Sequence, residues 1–206
     1  MNALSLIRYT AWAAVAALAI MAGYVMLAPR GGGSGLSTAS IGGPFVLAST
    51  TGTPLDSATL KGKPYALFFG FTQCPDVCPT TMFEMSQNMK TLDADPALAA
   101  KAKAFKVYFI TVDPERDDAS LLKDYLSAFD PRIIGLIPKD GPELQRIAKE
   151  FHVFYEKVKT PSGYTMNHTA SVFLFDGAGN WVGSLDSQES DETRVAKLRR
   201  LLERAS

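Results

Sequence analysis

The chain has 206 residues, with 21 Lys plus Arg balanced by 21 Asp plus Glu. Only Arg8 and Arg30 are charged in the first forty residues, so the remainder is slightly acidic and lacks the basic face that nucleic acid requires. A hydrophobic content of 47% fits one globular domain with a small addition, and two cysteines exclude a disulfide-rich scaffold or a four-cysteine zinc site.

A short tail, residues 1–8, leads into residues 9–28, twenty positions without a charge. At about 1.5 Å per residue, a helix of that length crosses the roughly 30 Å hydrocarbon core of a bilayer. Tyr9, Trp12 and Tyr24 lie near its two ends, where aromatic rings favour the headgroup region. A single transmembrane anchor is expected. A cleaved signal peptide is the competing reading, but Met26 is large for a position two residues before a cleavage site. Either reading exports the rest of the chain. No Arg- and Ser-rich presequence is present, so the expected location is a bacterial inner membrane with the C-terminal domain in the periplasm. Residues 29–40 contain Gly31-Gly32-Gly33-Ser34-Gly35 and read as a flexible linker.

Residues 41–206 alternate apolar runs with turn signals. Phe45-Val46-Leu47 predicts a short strand and Thr51-Gly52-Thr53-Pro54 a turn. Tyr65 to Phe71 is continuously apolar, as in a strand buried on both faces. Met82, Met85, Met89 and Leu92 give a helical stripe over 80–92, read as core and not as a methionine metal site. A second buried strand is predicted at 107–112, a helix at 120–129 and a strand at 133–137. Pro142 opens a helix to about 151, which places His152 in a structural role at its end. A strand at 171–175, a turn at 177–180 into Trp181, and a closing helix over 191–203 complete the pattern. Strands alternating with helices indicate an α/β sandwich.

The informative stretch is Gly70-Phe71-Thr72-Gln73-Cys74-Pro75-Asp76-Val77-Cys78-Pro79, between the most apolar strand and a helix. A helix N-terminus carries partial positive charge and lowers thiol pKa values, and thiolates both attack disulfides and bind soft metals. C-x-x-x-C is one residue wider than the redox motif C-x-x-C, and it suits a disulfide or two thiolates around one ion. A purely stapling disulfide over so few residues would constrain little. A peroxidase is disfavoured, because Leu67 and Phe71 stand where its Pro and Thr/Ser would precede Cys74.

His168 lies just before the apolar strand ending at Phe175. In a thioredoxin-like sheet the loop before that strand faces the cysteine junction and carries a cis-Pro. This chain has no Pro after Pro161. A His there shifts the site from dithiol exchange towards metal binding. Two thiolates and an imidazole suit Cu(I), and they can hold Cu(II). Zn(II) fits less well without a fourth ligand. Met166 is two residues from His168, and an axial ligand role for it is disfavoured.

These stretches resemble the SCO/SenC family of membrane-anchored copper proteins. The likeness covers about residues 40–204 and includes Phe69-Gly70-Phe71-Thr72 with the cysteine motif, Thr111-Val112-Asp113-Pro114-Glu115-Arg116-Asp117, and Asn167-His168-Thr169. It implies a thioredoxin-like fold with inserted elements, and copper binding by Cys74, Cys78 and His168. It also implies a metallochaperone that helps assemble the CuA centre of cytochrome c oxidase. The expected partners are the CuA-bearing oxidase subunit and other periplasmic copper carriers. A thiol-disulfide reductase that keeps the CuA-site cysteines reduced through Cys74 and Cys78 is the enzymatic alternative, and a copper or redox sensor is the third reading. Asn167 stands where the family often has an acid. Asp113, Glu115, Arg116 and Asp117 read as a network holding a loop, and Asp76 as either a partner contact or a solvated side chain.

Overall fold

The computed structural model describes Trp12, Met21 and residues 41–204. Trp12 and Met21 are helical, and the rest of the expected membrane span over 9–28 lies outside the described residues, as do the tail and the linker. Among the described residues, no helix is long and apolar enough to cross a membrane. The chain divides into two units, 1–39 and 40–206, and the second is the one described below.

Its centre is a seven-stranded mixed sheet. The strands are β1 (Val46–Ser49), β2 (Leu55–Asp56), β3 (Tyr65–Gly70), β4 (Lys106–Thr111), β5 (Ile133–Ile137), β8 (Val172–Phe175) and β9 (Trp181–Leu185). Their order across the sheet is β2-β1-β5-β4-β3-β8-β9. β3, β4 and β5 run parallel, while β1 pairs with β5 and β8 with β3 in the antiparallel sense. All six residues of β3 are buried, which is why its sequence is apolar without alternation.

Five helices accompany the sheet: α1 (Val77–Asp93), α2 (Ala99–Ala104), α3 (Ala119–Leu126), α4 (Gly141–Glu150) and α5 (Asp191–Arg204). Met82, Met85, Met89 and Leu92 of α1 are each at most 2% exposed, so the stripe is core. α3 and α4 begin at Asp118 and Asp140, whose carboxylates accept the N–H groups of Leu121 and Glu143. α4 ends at Phe151 with His152 in the left-handed region, φ 54°. The His152 N–H reaches the Lys149 carbonyl at 3.2 Å and the Val153 N–H the Ala148 carbonyl at 2.8 Å. That pairing is a Schellman cap, so His152 terminates a helix.

Three elements depart from the sequence expectation. α1 starts at Val77, not at residue 80, so Cys78 belongs to its first turn. The short α2 is an Ala/Lys segment with no apolar stripe to announce it. The third is a separate hairpin, β6 (Tyr155–Thr160) with β7 (Gly163–His168), in register from Tyr155↔His168 to Thr160↔Gly163. β6 carries Glu156, Lys157 and Lys159, and Met166 is the one buried residue of the pair, so the strand pattern lacks a continuous apolar side. His168 is therefore the last residue of a strand and not part of a loop.

Packing is close where β1 ends against β5. The Gly135 carbonyl accepts the Thr50 N–H and the Gly135 N–H donates to the Thr50 hydroxyl, both at 3.0 Å, and a Cβ at Gly135 would sit 2.6 Å from both Leu122 Cδ2 and Thr50 Cγ2. Gly135→Ala is expected to destabilise the fold by about 1–3 kcal/mol through overpacking. The check is a lower urea midpoint with an unchanged slope; an unshifted midpoint would show that the β1–β5 junction is looser than described.

Candidate metal centre

β3 ends at Gly70 and delivers the chain to Phe71, which is buried, and then to the cysteine loop. Asp76 is the N-cap of α1, yet its side chain caps nothing. The Cys74 Sγ takes that place, accepting the Cys78 N–H at 3.4 Å. A sulfur thus satisfies one of the helix's orphan donors, and Pro79 has no N–H to satisfy. Cys78 is fully buried, Cys74 is partly exposed, and both are free thiols.

The hairpin brings His168 to the same point. Its Nε2 lies 3.4 Å from the Cys78 Sγ, across ninety positions of sequence. Its Nδ1 lies 2.9 Å from the Thr169 carbonyl, which can only accept, so Nδ1 donates there and Nε2 is the nitrogen turned to the sulfurs. Phe68 and Phe71 stand edge-on to the imidazole, with ring centroids 6.0 and 5.8 Å away. The ligand atoms of Cys74, Cys78 and His168 all fall within 4.8 Å of one another. Two sulfurs and one nitrogen at that spacing form a donor set for a soft ion.

The two thiols are electrostatically unlike. Cys74 is drawn down to about 4, chiefly by the hydrogen bond from the Cys78 side chain, with His168 and the backbone N–H groups of Cys78 and Asp76 assisting against burial. Cys78 is pushed far up, because its side chain supports the Cys74 thiolate and burial opposes a second charge. The expectation that the helix N-terminus lowers both thiols is thus corrected. Only the sulfur outside the helix benefits, since the other has no solvent and a neighbouring thiolate.

The charged motif after β4 braces this centre. Asp117, 1% exposed, accepts the Thr72 N–H at 3.0 Å, the Thr72 hydroxyl at 2.5 Å and the Thr111 hydroxyl at 2.6 Å. Asp113, also buried, accepts Arg116 Nε at 2.5 Å and the Tyr164 hydroxyl at 2.9 Å. Arg116 donates to Gln73 Oε1 and to the Tyr164 carbonyl, both at 3.0 Å, and its guanidinium stacks 3.7 Å from the Tyr164 ring centroid. Lys157 pairs with Glu115 at 2.6 Å and lies over the other part of the same ring. The network therefore joins the cysteine loop, the β4 turn and the hairpin that carries His168. Sequence reasoning named its acids and Arg116 but missed Tyr164, whose role becomes visible only once β7 is paired.

Met166 is buried, Asn167 is exposed opposite Glu156 across the hairpin, and Asp76 faces solvent. An open cavity of about 300 Å³ at the mouth is lined by Cys74, Pro75, Val77, Phe154 and His168, among others, and Phe154 is 59% exposed.

Arg116→Ala is expected to loosen the hairpin and not the core. Losing one charged hydrogen-bonding group amounts to about 1.5–3 kcal/mol, or roughly 10- to 100-fold in amide exchange over 155–168. Hydrogen exchange read residue by residue checks this; a uniform rise across β3 and β4 would show that Arg116 supports the whole fold instead.

The SCO1/SenC family model matches residues 34–203. Protein SCO1 of Saccharomyces cerevisiae mitochondria is 32% identical over 167 residues, covering 80% of this chain and 55% of that protein. An SCO2-like protein of Rickettsia felis is 34% identical over 145 residues, 69% of this chain and 67% of its own length. The chain thus spans only about half the length of the yeast relatives it matches. Among solved structures, Bradyrhizobium japonicum ScoI with copper bound is 40% identical, with a TM-score of 0.69 over 79% of this chain and 99% of that one. The mixed α/β fold is that of these thioredoxin-like proteins, and the chain belongs to the SCO1/SenC family.

Proposed function

We propose that this protein is a membrane-anchored copper metallochaperone, with Cys74, Cys78 and His168 as the ligands. Residues 9–28 form the anchor, 29–40 the linker, and 41–206 the copper-binding domain, held in the periplasm of a bacterium. The recipient is the cytochrome c oxidase subunit that carries the CuA site, the role implied by the family resemblance. The observation that carries the reading is the convergence of two sulfurs and an imidazole nitrogen within 4.8 Å. A relative 40% identical binds copper on the same fold, which supports the choice of metal.

The chemistry of the pair fits a cargo site. A cation placed between the sulfurs supplies the charge that lets Cys78 ionise beside Cys74, so loading releases protons. Of the two sulfurs, Cys74 is the one partly open to solvent. An incoming thiolate from the recipient would reach the ion from the side of Cys74 and His168, which line the open mouth, and stepwise ligand exchange would pass the ion on.

One observation favours the second reading, a thiol-disulfide reductase. A low-pKa, accessible Cys74 beside a buried Cys78 has the asymmetry of an attacking and a resolving thiol. The Cys74 thiolate would break the target disulfide and form a mixed disulfide. Cys78 would then displace the second target thiol, leaving a Cys74–Cys78 disulfide and a target reduced by two electrons. Repeated turnover would need an external dithiol reductant.

Removing the imidazole separates the two. His168→Ala is expected to lower Cu(I) affinity by at least about 100-fold, beyond the loss typical of an outer-shell partner. The Cys74–Cys78 disulfide should still form in it, whereas Cys74→Ser should lose both properties. Competition with a chromophoric Cu(I) chelator reads the first effect and thiol labelling the second. If His168→Ala still supports oxidase assembly at low copper, the chaperone reading fails and the reductase reading stands.

A further inference from the structure

The opposite end of the domain holds a larger cavity that the metal centre does not use. It measures about 660 Å³, within the range of ligand sites, and lies between the β8–β9 turn and the last turns of α5. Lys197, Arg200 and Arg204 line it from the helix, and Leu174, Val182 and Leu201 give it apolar walls. Lys197 is occupied by Glu189 and the Ser184 carbonyl. Arg200 and Arg204 are exposed, and among the described residues neither has a hydrogen bond or ion pair. The one acid in the lining, Asp176, is spent within its own turn, accepting the N–H groups of Ala178 and Asn180 at 2.9 Å. Gly183 in the lining has φ +149°, a conformation that favours glycine, and the space where a Cβ would stand is open.

The position of this cavity selects its occupant. Gly62, in its lining, precedes β3, whereas the cysteine loop follows β3. Six residues of strand, about 20 Å, therefore separate this end from the metal centre. Ile41, the first residue of the described domain, lies on the adjoining cavity, which shares Ala178 with this one. The chain thus enters the domain at the basic end. The twelve residues of the linker reach at most about 40 Å, so an anchored domain keeps this end within range of the bilayer surface. Exposed Lys61 and Lys63 stand beside Gly62 and add to the positive field.

We propose that this cavity binds the phosphate headgroup of an anionic phospholipid, with Arg200 and Arg204 on the phosphate and Leu174, Val182 and Leu201 against the upper acyl chains. The inference rests on the anchoring half of the proposed function and is independent of copper. It directs the metal centre away from the membrane.

Trp181, 41% exposed beside Val182, is a reporter at the rim, and Trp12 is the chain's other tryptophan. Full-length protein carrying Trp12→Phe is incorporated into nanodiscs of phosphatidylcholine, with or without phosphatidylglycerol, each containing the same fraction of headgroup spin-labelled lipid. Quenching of Trp181 is expected to be about threefold greater with phosphatidylglycerol, and to return to the phosphatidylcholine level in Arg200→Gln/Arg204→Gln or at about 0.5 M salt. Thermal unfolding of the double variant confirms that the domain is intact. Equal quenching in both lipids, or an unaffected double variant, overturns the proposal. So does an equal emission change caused by inorganic phosphate in phosphatidylcholine discs, which would assign the site to a soluble anion. Protein that does not co-elute with the discs refutes the anchor. The same chain added to phosphatidylglycerol vesicles then decides the cavity on its own, while a Cu(I) titration reports the metal centre separately.

Discussion

The buried carboxylate of Asp117 is the constraint on which the centre depends. Its oxygens accept two groups of Thr72 and the hydroxyl of Thr111, so the loop after β3 is tied to the end of β4. A charge at 1% exposure is tolerated because those donors replace its water. Thr72 is two residues from Cys74, and the cysteine loop inherits its position from this anchor. Asp113 does the corresponding work for the hairpin through Tyr164 and Arg116. Two neighbouring acids of one turn thus fix both halves of a site whose donors lie far apart in sequence.

Within that frame the thiols divide their labour by environment. Both belong to one short motif, yet one sulfur caps a helix at the edge of solvent and the other is sealed in the core. Identical side chains therefore hold different protonation states before any ligand arrives. The same asymmetry suits metal transfer and disulfide exchange, which is why the imidazole, absent from a dithiol mechanism, discriminates between them.

Much of this was legible in the residues. The run Tyr65–Phe71 has no polar position, so a strand buried on both faces was the only economical reading, and the methionine stripe of α1 followed from its spacing. Cys74, Cys78 and His168 were legible as a ligand set because few residue types bind soft ions and this chain has two Cys and two His. The hairpin was not legible. Its first strand carries Glu156, Lys157 and Lys159 and its second has Met166 as the one buried residue, and a cation stacked on Tyr164 and a distant carboxylate help to hold them. Such contacts have no periodicity. For the same reason the elevated Cys78 thiol could not be anticipated from a helix-dipole argument, since burial depends on packing that spacing alone does not report.

The hairpin forms a sheet of its own, apart from the seven strands that carry the cysteine loop. Two donors are thus mounted on the seven-stranded body of the domain and the third on a hairpin tied to it by buried Met166 and by the Tyr164–Asp113–Arg116 contacts. Swinging that hairpin outward would detach the imidazole without opening the sheet, converting a three-donor grip into a two-sulfur one. Such an opening would be a local event, with a free energy that need not approach the stability of the whole domain.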